Sequence, residues 1–264
     1  MNDFISVVVP AYNEESRIPP TLEKVHAYCK EKFSDFEILV VDDGSSDNTA
    51  LVVKNLSVYL DHVNLIHYPQ NAGKGHAVRK GVLSSRGNLL LICDADLSTP
   101  IEELEKLVPF IKSDYDIAIG SRGLRESDIV QRQPWYREAM GKTFNIFVRM
   151  LAVGGISDTQ CGFKLFRGDV ARGLFSKARI DGFSFDVEVL YLAKKAEYTI
   201  KEVPVRWINS PFSRVVLMSD PMRMFLELLI IKFNALTGKY NKSGQNLPEL
   251  SISEKDQEEQ DIEL

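Results

Sequence analysis

Residues 36–50 read FEILVVDDGSSDNTA, and this stretch contains the structural unit from which the fold follows. FEILVV is a short apolar run of the kind found in strands that are buried on both faces. The polar turn DDGS ends that strand, and Ser46 or Asp47 is placed to cap a helix predicted over Asn48–Leu60. A buried strand, a polar loop and a helix in this order are the repeating unit of a parallel sheet.

The same unit recurs through the first 121 residues. The pattern predicts strands at Ile5–Pro10, Phe36–Val41, Val63–Tyr68, Leu89–Cys93 and Ile117–Gly120. It predicts helices between them at Arg17–Lys32, Asn48–Leu60, Gly75–Leu83 and Ile101–Ile111. Repeated units of this size indicate an α/β fold with a Rossmann-like, mostly parallel sheet and helices on both faces.

The pattern loosens after Gly120, and residues 121–136 are predicted to form a loop. The later elements are helices at Arg137–Leu151, Val187–Ala196 and Pro221–Leu236 and strands at Gly162–Phe166 and Ile200–Val205. With no repeat and no clear linker, residues 1–240 are predicted to form one domain. The acidic segment 241–264 has few apolar residues to bury and is predicted to be disordered.

Composition and charge restrict the class of protein. The sequence has no uninterrupted apolar run of about 18 residues, so no transmembrane helix is predicted, and MNDFISVVVP lacks the features of a secretory signal. Three widely spaced cysteines fit a reducing cytosol. The last sixteen residues hold seven acids and one lysine of a chain with net charge -5, so the body is nearly neutral. Nucleic acid is therefore not an expected partner.

Polar residues follow four of the predicted strands. They are Pro10–Glu14, Asp42–Ser45, Asp94–Asp96 and Ser121–Arg122. In an open parallel sheet, ligands bind beyond the carboxyl ends of the strands, so these side chains are expected to face one crevice.

Asp94 and Asp96 are the candidate metal ligands, because two carboxylates one residue apart suit Mg²⁺ or Mn²⁺ bound together with substrate phosphates. Such a pair also occurs as ordinary turn or capping carboxylates. The glycines of NAGKG at 71–75 allow close backbone approach to a phosphate at a helix N-terminus, although the P-loop spacing is absent. An ordinary turn between a strand and a helix is the alternative there.

Taken together, these motifs resemble the inverting glycosyltransferases of the family that includes dolichyl-phosphate glucosyl- and mannosyltransferases. The similar strings are VVVPAYNEE (7–15), VVDDGSSDNT (40–49), NAGKGHAVRKG (71–81), DADLSTP (94–100), GSR (120–122), DTQCGFKLF (158–166), GFSFDVEVL (182–190) and EVPVRW (202–207). The resemblance covers nearly all of residues 4–240 and implies a GT-A fold, with residues 1–121 binding nucleotide sugar and metal and residues 122–240 binding the acceptor.

The resemblance also implies roles for individual residues. Those expected at the nucleotide diphosphate sugar are Pro10, Tyr12, Glu14, Asp42, Asp43, Lys74, Asp94 and Ala95, and those expected at the metal are Asp94 and Asp96. Those expected at the acceptor phosphate are Arg122, Arg137, Ser213 and Arg214. Residues 122–149 contain six basic and three acidic side chains, which fits an anionic acceptor, although a solvated helix face gives the same pattern.

The catalytic residues implied are Asp96, Arg122 and Asp158. A phosphate acceptor has a second pKa of about 6 and needs no general base, whereas a hydroxyl acceptor does. Asp158 is the first candidate for that base, unless it orients the acceptor or a neighbouring arginine; Asp186 and Glu188 are the others.

The predicted function is transfer of a hexose, glucose from UDP-glucose, to a polyprenyl or dolichyl phosphate. GDP-mannose as donor and a glycan hydroxyl as acceptor are the alternatives. A lipid substrate implies a cytoplasmic protein peripheral to a membrane. The helix 221–236 could lie at that interface or could equally be a core helix.

Overall fold

The computed structural model describes residues 4–131, 134–209 and 220–241. Seven strands form the main sheet in the order β3-β2-β1-β4-β7-β5-β8. Their bounds are β1 Phe4–Ala11, β2 Asp35–Asp43, β3 Val63–Tyr68, β4 Leu89–Cys93, β5 Ile117–Ser121, β7 Phe163–Arg167 and β8 Ile200–Pro204. Two short strands, β6 Asp128–Gln131 and β9 Arg206–Ile208, pair with each other.

Eight α-helices occur in the described part of the chain. They are α1 Ile18–Lys32, α2 Thr49–Leu56, α3 Lys74–Ser84, α4 Leu104–Lys112, α5 Trp135–Leu151, α6 Gly168–Phe175, α7 Phe185–Lys195 and α8 Asp220–Leu236. There are also two 3-10 turns in this part: Ile101–Glu103 leads into α4, and Lys239–Asn241 follows α8. Among these residues, no helix is both long enough and apolar enough to span a bilayer.

The sheet separates two apolar cores. Val8 and Val41 point toward the layer of α3 and α5–α8, whereas Val7 and Val40 point toward the layer of α1, α2 and α4. This alternation follows from the period of two along a strand, and it explains why the strands read as continuous apolar runs. The predicted helices on both faces are confirmed.

One strand of the main sheet runs against the others. β7 is antiparallel to both β4 and β5, and every other pairing in that sheet is parallel. The prediction of a mostly parallel sheet is therefore confirmed. Since Phe163 at the start of β7 pairs with Cys93 at the end of β4, the segment before β7 lies at the same edge as the residues that follow β4.

The predicted elements differ from the structure in several places. The predicted loop 121–136 is wrong in part, because it contains β6 and the first residues of α5. Helix α6 was not predicted, and its two glycines lower the helix propensity of an eight-residue segment. The helix predicted to Leu60 ends at Leu56, after which the chain forms turns.

Candidate active site

The loops that follow β1 and β2 are held together by side chains. Asn13 Oδ1 accepts a hydrogen bond from the Ser46 backbone N–H at 2.8 Å, and Ser45 Oγ accepts one from the Asn13 N–H at 2.8 Å. The Glu14 N–H donates to Thr49 Oγ1 at 2.8 Å. Asn13 has φ 55, a left-handed conformation that asparagine tolerates. The strings PAYNEE and DDGSSDNT therefore build one surface.

The two aspartates at the end of β2 have different partners. Asp43 accepts hydrogen bonds from the backbone N–H groups of Ala72 and Gly73 at 3.0 and 2.7 Å. Asp42 lies 2.8 Å from His67 Nδ1 and also accepts from Ser45. Both aspartates are buried, and Asp43 fixes the segment that leads into α3.

Lys74 connects that segment to β4. Lys74 follows Gly73, whose N–H donates to Asp43. The Lys74 Nζ lies 2.7 Å from Asp94 Oδ1. Burial lowers the pKa of Lys74, but Asp94 and Asp186 outweigh burial and raise it above its ordinary value. The lysine is thus a cation at neutral pH, and Asp43 and Asp94 lie at the same edge of the sheet.

Asp94 and Asp96, the two predicted cation ligands, both lie just beyond the end of β4. Asp96 Oδ1 accepts from the Ser98 N–H at 3.0 Å, and its Oδ2 lies 3.9 Å from Arg17. A cavity of about 380 Å³ opens beside Asp96 on the side of α1. In the described residues, no group of three or more His, Cys, Asp or Glu side chains is gathered to hold a metal by protein ligands alone.

These two carboxylates fit Mg²⁺ or Mn²⁺ that takes its remaining oxygens from water and phosphate, as Mg²⁺ commonly does. The Lys74 ammonium already occupies a cation position on Asp94, which supports this fit. Leu97, directly after Asp96, has φ 45, a strained conformation for a bulky residue. Such strain clusters at functional sites.

Gly162, just before β7, lies against Asp94. A Cβ built at Gly162 would be 1.9 Å from Asp94 Oδ2, so only glycine leaves room for the carboxylate where it stands. The antiparallel β7 thus places a residue without a side chain beside a predicted cation ligand.

Arg122 and Asp158 form a two-pronged ion pair at the end of β5. Arg122 Nε and Nη2 donate to Asp158 Oδ2 and Oδ1 at 2.6 and 2.9 Å, and the Arg122 N–H donates to Oδ2 at 3.0 Å. The guanidinium lies 5.5 Å from the centre of the Trp207 ring. Burial raises the pKa of Asp158, but Arg122 outweighs burial and lowers it to about 2. A carboxylate so stabilised is a weak proton acceptor.

The other predicted donor residues lie around the same edge. Tyr12 is 40% exposed, whereas Pro10 is buried within β1. Glu14 is paired with Arg17, and the carbonyl of the buried Ala95 accepts from Thr21. Roles for these residues stay predictions.

Part of the predicted acceptor site lies outside the described residues. Ser213 and Arg214 fall in the undescribed segment 210–219. Arg137 lies in α5, but its side chain is not among those described. Of the predicted tail 241–264, Asn241 ends a 3-10 turn and the other residues are likewise outside the described part of the chain.

The two alternative base candidates are buried in α7. Lys164 Nζ lies 2.5 Å from Asp186 Oδ1. Glu188 accepts hydrogen bonds from the Ile180 N–H at 2.8 Å and from Tyr240 at 2.7 Å. With these partners, neither carboxylate points freely toward an acceptor.

Comparison with known proteins bears directly on this geometry. Residues 6–175 match the sequence profile described as "Glycosyl transferase family 2". The chain belongs to this family. Proteins named dolichyl-phosphate beta-glucosyltransferase match it at 38% identity in Dictyostelium discoideum (90% of this chain and 76% of that protein), at 36% in Homo sapiens (89% and 77%) and at 35% in Saccharomyces cerevisiae (90% and 76%). The resemblance inferred from the motifs is confirmed.

Solved structures of glycosyltransferases share the fold. Glucosyl-3-phosphoglycerate synthase from Mycobacterium tuberculosis in complex with uridine-diphosphate has a TM-score of 0.63 at 17% identity, covering 93% of this chain and 83% of that one. Mannosyl-3-phosphoglycerate synthase from Rubrobacter xylanophilus has a TM-score of 0.64 at 20% identity, covering 94% and 78%. At such identity the likeness establishes the fold alone, and the predicted GT-A fold is confirmed.

Three residues at or beside the candidate site were not assigned from the sequence: Arg17, Gly162 and Lys164. Gly162 and Lys164 lie in the string DTQCGFKLF, whose glycine between bulky residues signals a close approach. Nothing in the local sequence around Arg17 distinguishes it from a basic residue on a solvated helix end.

Proposed function

We propose that this chain transfers glucose from UDP-glucose to dolichyl phosphate with inversion at the sugar. Relatives that carry the name dolichyl-phosphate beta-glucosyltransferase support the sugar and the acceptor. The observation that carries the proposal is the gathering of Asp43, Lys74, Asp94 and Arg122 at one edge of the sheet. Sugar transfer between phosphates requires a cation site and positive charges that bind phosphate. Asp94 would supply a carboxylate for the cation, and Lys74 and Arg122 would supply the two positive charges.

On the donor side, Asp94 and Asp96 would hold Mg²⁺ or Mn²⁺ against the donor diphosphate. Related structures with bound UDP and Mn²⁺ support this choice. The bound ion would act as a Lewis acid for the diphosphate leaving group. Lys74, at the N-terminus of α3, would contact the same diphosphate, and a helix N-terminus also favours an anion. Exposed Tyr12 would pack on the nucleoside, with the surface built by Asp42 and Asp43 beneath it.

On the acceptor side, Arg122 would bind the lipid phosphate and Asp158 would orient the guanidinium. A planar guanidinium binds phosphate through paired hydrogen bonds. The pKa of Asp158, lowered to about 2, disfavours the alternative in which it activates a hydroxyl. A phosphate acceptor needs no such base, since its second pKa is about 6. Arg137, Ser213 and Arg214 remain the further proposed contacts to this phosphate.

For access to a lipid acceptor, we propose that an apolar face of α5 and α8 lies on the cytoplasmic surface of a membrane. The apolar face consists of the exposed Met140, Phe147, Met222, Leu226, Leu229, Ile230 and Phe233. Phe147 and Phe225 pack edge to face at 5.4 Å and join the two helices. Lys239, next to Phe233, would meet anionic headgroups. The opposite side of α8 belongs to the core, since Leu228 and Ile231 are fully buried. In this proposal, α8 is a core helix on one side and an interfacial helix on the other.

Transfer assays with purified protein test the proposal. We expect a glucolipid product from UDP-glucose and dolichyl phosphate, loss of product with EDTA, and recovery with Mg²⁺ or Mn²⁺. GDP-mannose and a glycan with a free hydroxyl are the competing donor and acceptor; product from either would favour that alternative. Asp96→Ala is expected to lower turnover on the order of 100-fold or more with an unchanged melting temperature. Wild-type turnover in that variant would refute the metal role.

A further inference from the structure

A fully buried ion pair lies directly beneath the candidate cation site. Lys164 is 1% exposed and Asp186 is 5% exposed, and the atoms Nζ and Oδ1 are 2.5 Å apart. Lys164 is in β7 opposite Ile92 of β4, two residues before Asp94. Asp186 is in the first turn of α7. The proposed transfer reaction uses neither side chain.

Stability alone does not explain this pair. Removing a lysine and an aspartate from water is costly, and well-packed apolar residues in such positions are commonly as stable or more stable. The charges that lie beside the pair offer a better explanation.

The neighbouring charge is Lys74. Lys74 Nζ lies 6.0 Å from the centre of the ring of Phe185, the residue before Asp186, and the Asp186 carboxylate acts to raise the pKa of Lys74. The Gly75 N–H donates to the Asp181 carbonyl at 2.8 Å, so the start of α3 is fixed to the segment before α7. The charges thus alternate from the sheet edge inward as Asp94, Lys74, Asp186 and Lys164.

We propose that Lys164 and Asp186 are positioning residues for the donor diphosphate, acting through Lys74. Lys164 neutralises Asp186, so the Lys74 ammonium stays directed outward at Asp94 and at the diphosphate. Without Lys164, the only cation left beside Asp186 among these four charges is the Lys74 ammonium. Asp186 then attracts this ammonium away from Asp94 and from the diphosphate. The inference rests on the donor site proposed above.

Calorimetric titration of UDP in the presence of Mn²⁺ tests this role. Lys164→Met is expected to weaken UDP binding about tenfold, since one charged hydrogen bond to the diphosphate is lost. The double variant Lys164→Met/Asp186→Leu removes the competing carboxylate and is expected to bind within about threefold of wild type. Lys164→Arg keeps the charge and is expected to bind like the double variant. The KM for dolichyl phosphate is expected to stay within about twofold, because Arg122 is untouched.

Leu107→Ala is the control for lost stability. Leu107 is fully buried in α4 on the opposite face of the sheet, so its truncation lowers the melting temperature without altering this row of charges. UDP affinity is expected to be unchanged in that variant. If wild type binds UDP but Lys164→Met binds it equally well, or if the double variant is as weak as Lys164→Met, the positioning role is wrong and the proposed function stands. If wild-type protein with Mn²⁺ fails to bind UDP, the donor site and this inference both fall.

Discussion

Asp158 accepts three hydrogen bonds from Arg122, one from its backbone and two from its guanidinium. The pair also receives support from a second carboxylate, because Glu202 accepts the backbone N–H groups of Ser157 and Asp158 at 2.8 and 3.0 Å. An arginine held in this way has one orientation, which reduces the entropy lost when a phosphate binds. The same fixation makes Asp158 an unsuitable base.

Arg122→Ala should therefore act on the acceptor. We expect the KM for dolichyl phosphate to rise about tenfold or more, with a smaller change in the KM for UDP-glucose, because a charged hydrogen-bonding group is lost from one substrate only. Steady-state kinetics with each substrate varied in turn would measure this. Unchanged acceptor kinetics would remove Arg122 from the acceptor site.

The lowered pKa of Asp158 also predicts how stability depends on pH. Because the pKa falls from 3.8 to about 2 on folding, the ionised carboxyl stabilises the fold by about 2 kcal/mol. This contribution is complete well above the unfolded pKa and is lost as pH falls through the folded pKa. Between about pH 5 and about pH 3, roughly 1 kcal/mol of it should disappear.

Denaturant unfolding of wild type and Asp158→Asn at both pH values measures that loss. The asparagine variant lacks the titrating group, so the difference in unfolding free energy between the two proteins should shrink at the lower pH. A difference that is the same at both pH values would show that Asp158 is not ionised preferentially in the folded protein.

Among the structural elements, β7 determines how much room Asp94 has. Its antiparallel entry between β4 and β5 places Gly162 against Asp94. Gly162→Ala adds a methyl group 1.9 Å from the carboxylate oxygen, so Asp94 must move. We expect the Mn²⁺ concentration for half-maximal activity to rise about 10- to 100-fold, the range seen when residues that orient metal ligands are changed.

Gly173→Ala is the matched control for that variant. Gly173 lies in α6, and an added Cβ there has no neighbour within 4 Å. Alanine should stabilise this helix by about 1 kcal/mol and leave the Mn²⁺ requirement unchanged. Equal Mn²⁺ requirements in Gly162→Ala and wild type would mean that Asp94 does not serve as a ligand in its present position.

Central strands of the main sheet such as β1 and β4 were predictable because they are buried on both faces and read as apolar runs. Val63–Tyr68 and Leu89–Cys93 were predicted with the observed bounds. The pairing β6–β9 was missed because its residues are mostly exposed and lack an apolar run. The antiparallel direction of β7 was also not predictable locally, since apolar periodicity carries no information about strand direction.

The candidate site was predictable to the extent that it follows strand ends. Asp43, Asp94 and Arg122 each come directly at or after a strand, so the topology brings them to one edge. The supporting residues Gly162 and Lys164 required the structure, because their roles depend on how β7 lies beside β4.

In the molecule as a whole, the sheet separates two surfaces with different properties. The layer of α1, α2 and α4 covers one core, and the layer that contains α5 and α8 covers the other. The apolar face is on the second layer, whose α3 and α7 also hold Lys74 and Asp186. Lys74, a proposed donor contact, thus lies in the same layer as the proposed membrane contact.

A charge placed on the apolar face should reduce transfer to a membrane-embedded acceptor without affecting the transfer reaction itself. Leu229→Glu puts a carboxylate on an exposed position of α8, where it opposes insertion and repels anionic lipid. We expect weaker co-sedimentation with vesicles that contain phosphatidylserine and lower transfer to dolichyl phosphate embedded in them. Transfer to a short, water-soluble isoprenyl phosphate should be unchanged. Leu51→Glu, the same change on exposed α2, is the control and should leave both acceptors unaffected. Equal vesicle binding by Leu229→Glu and wild type would place the membrane contact elsewhere on the molecule.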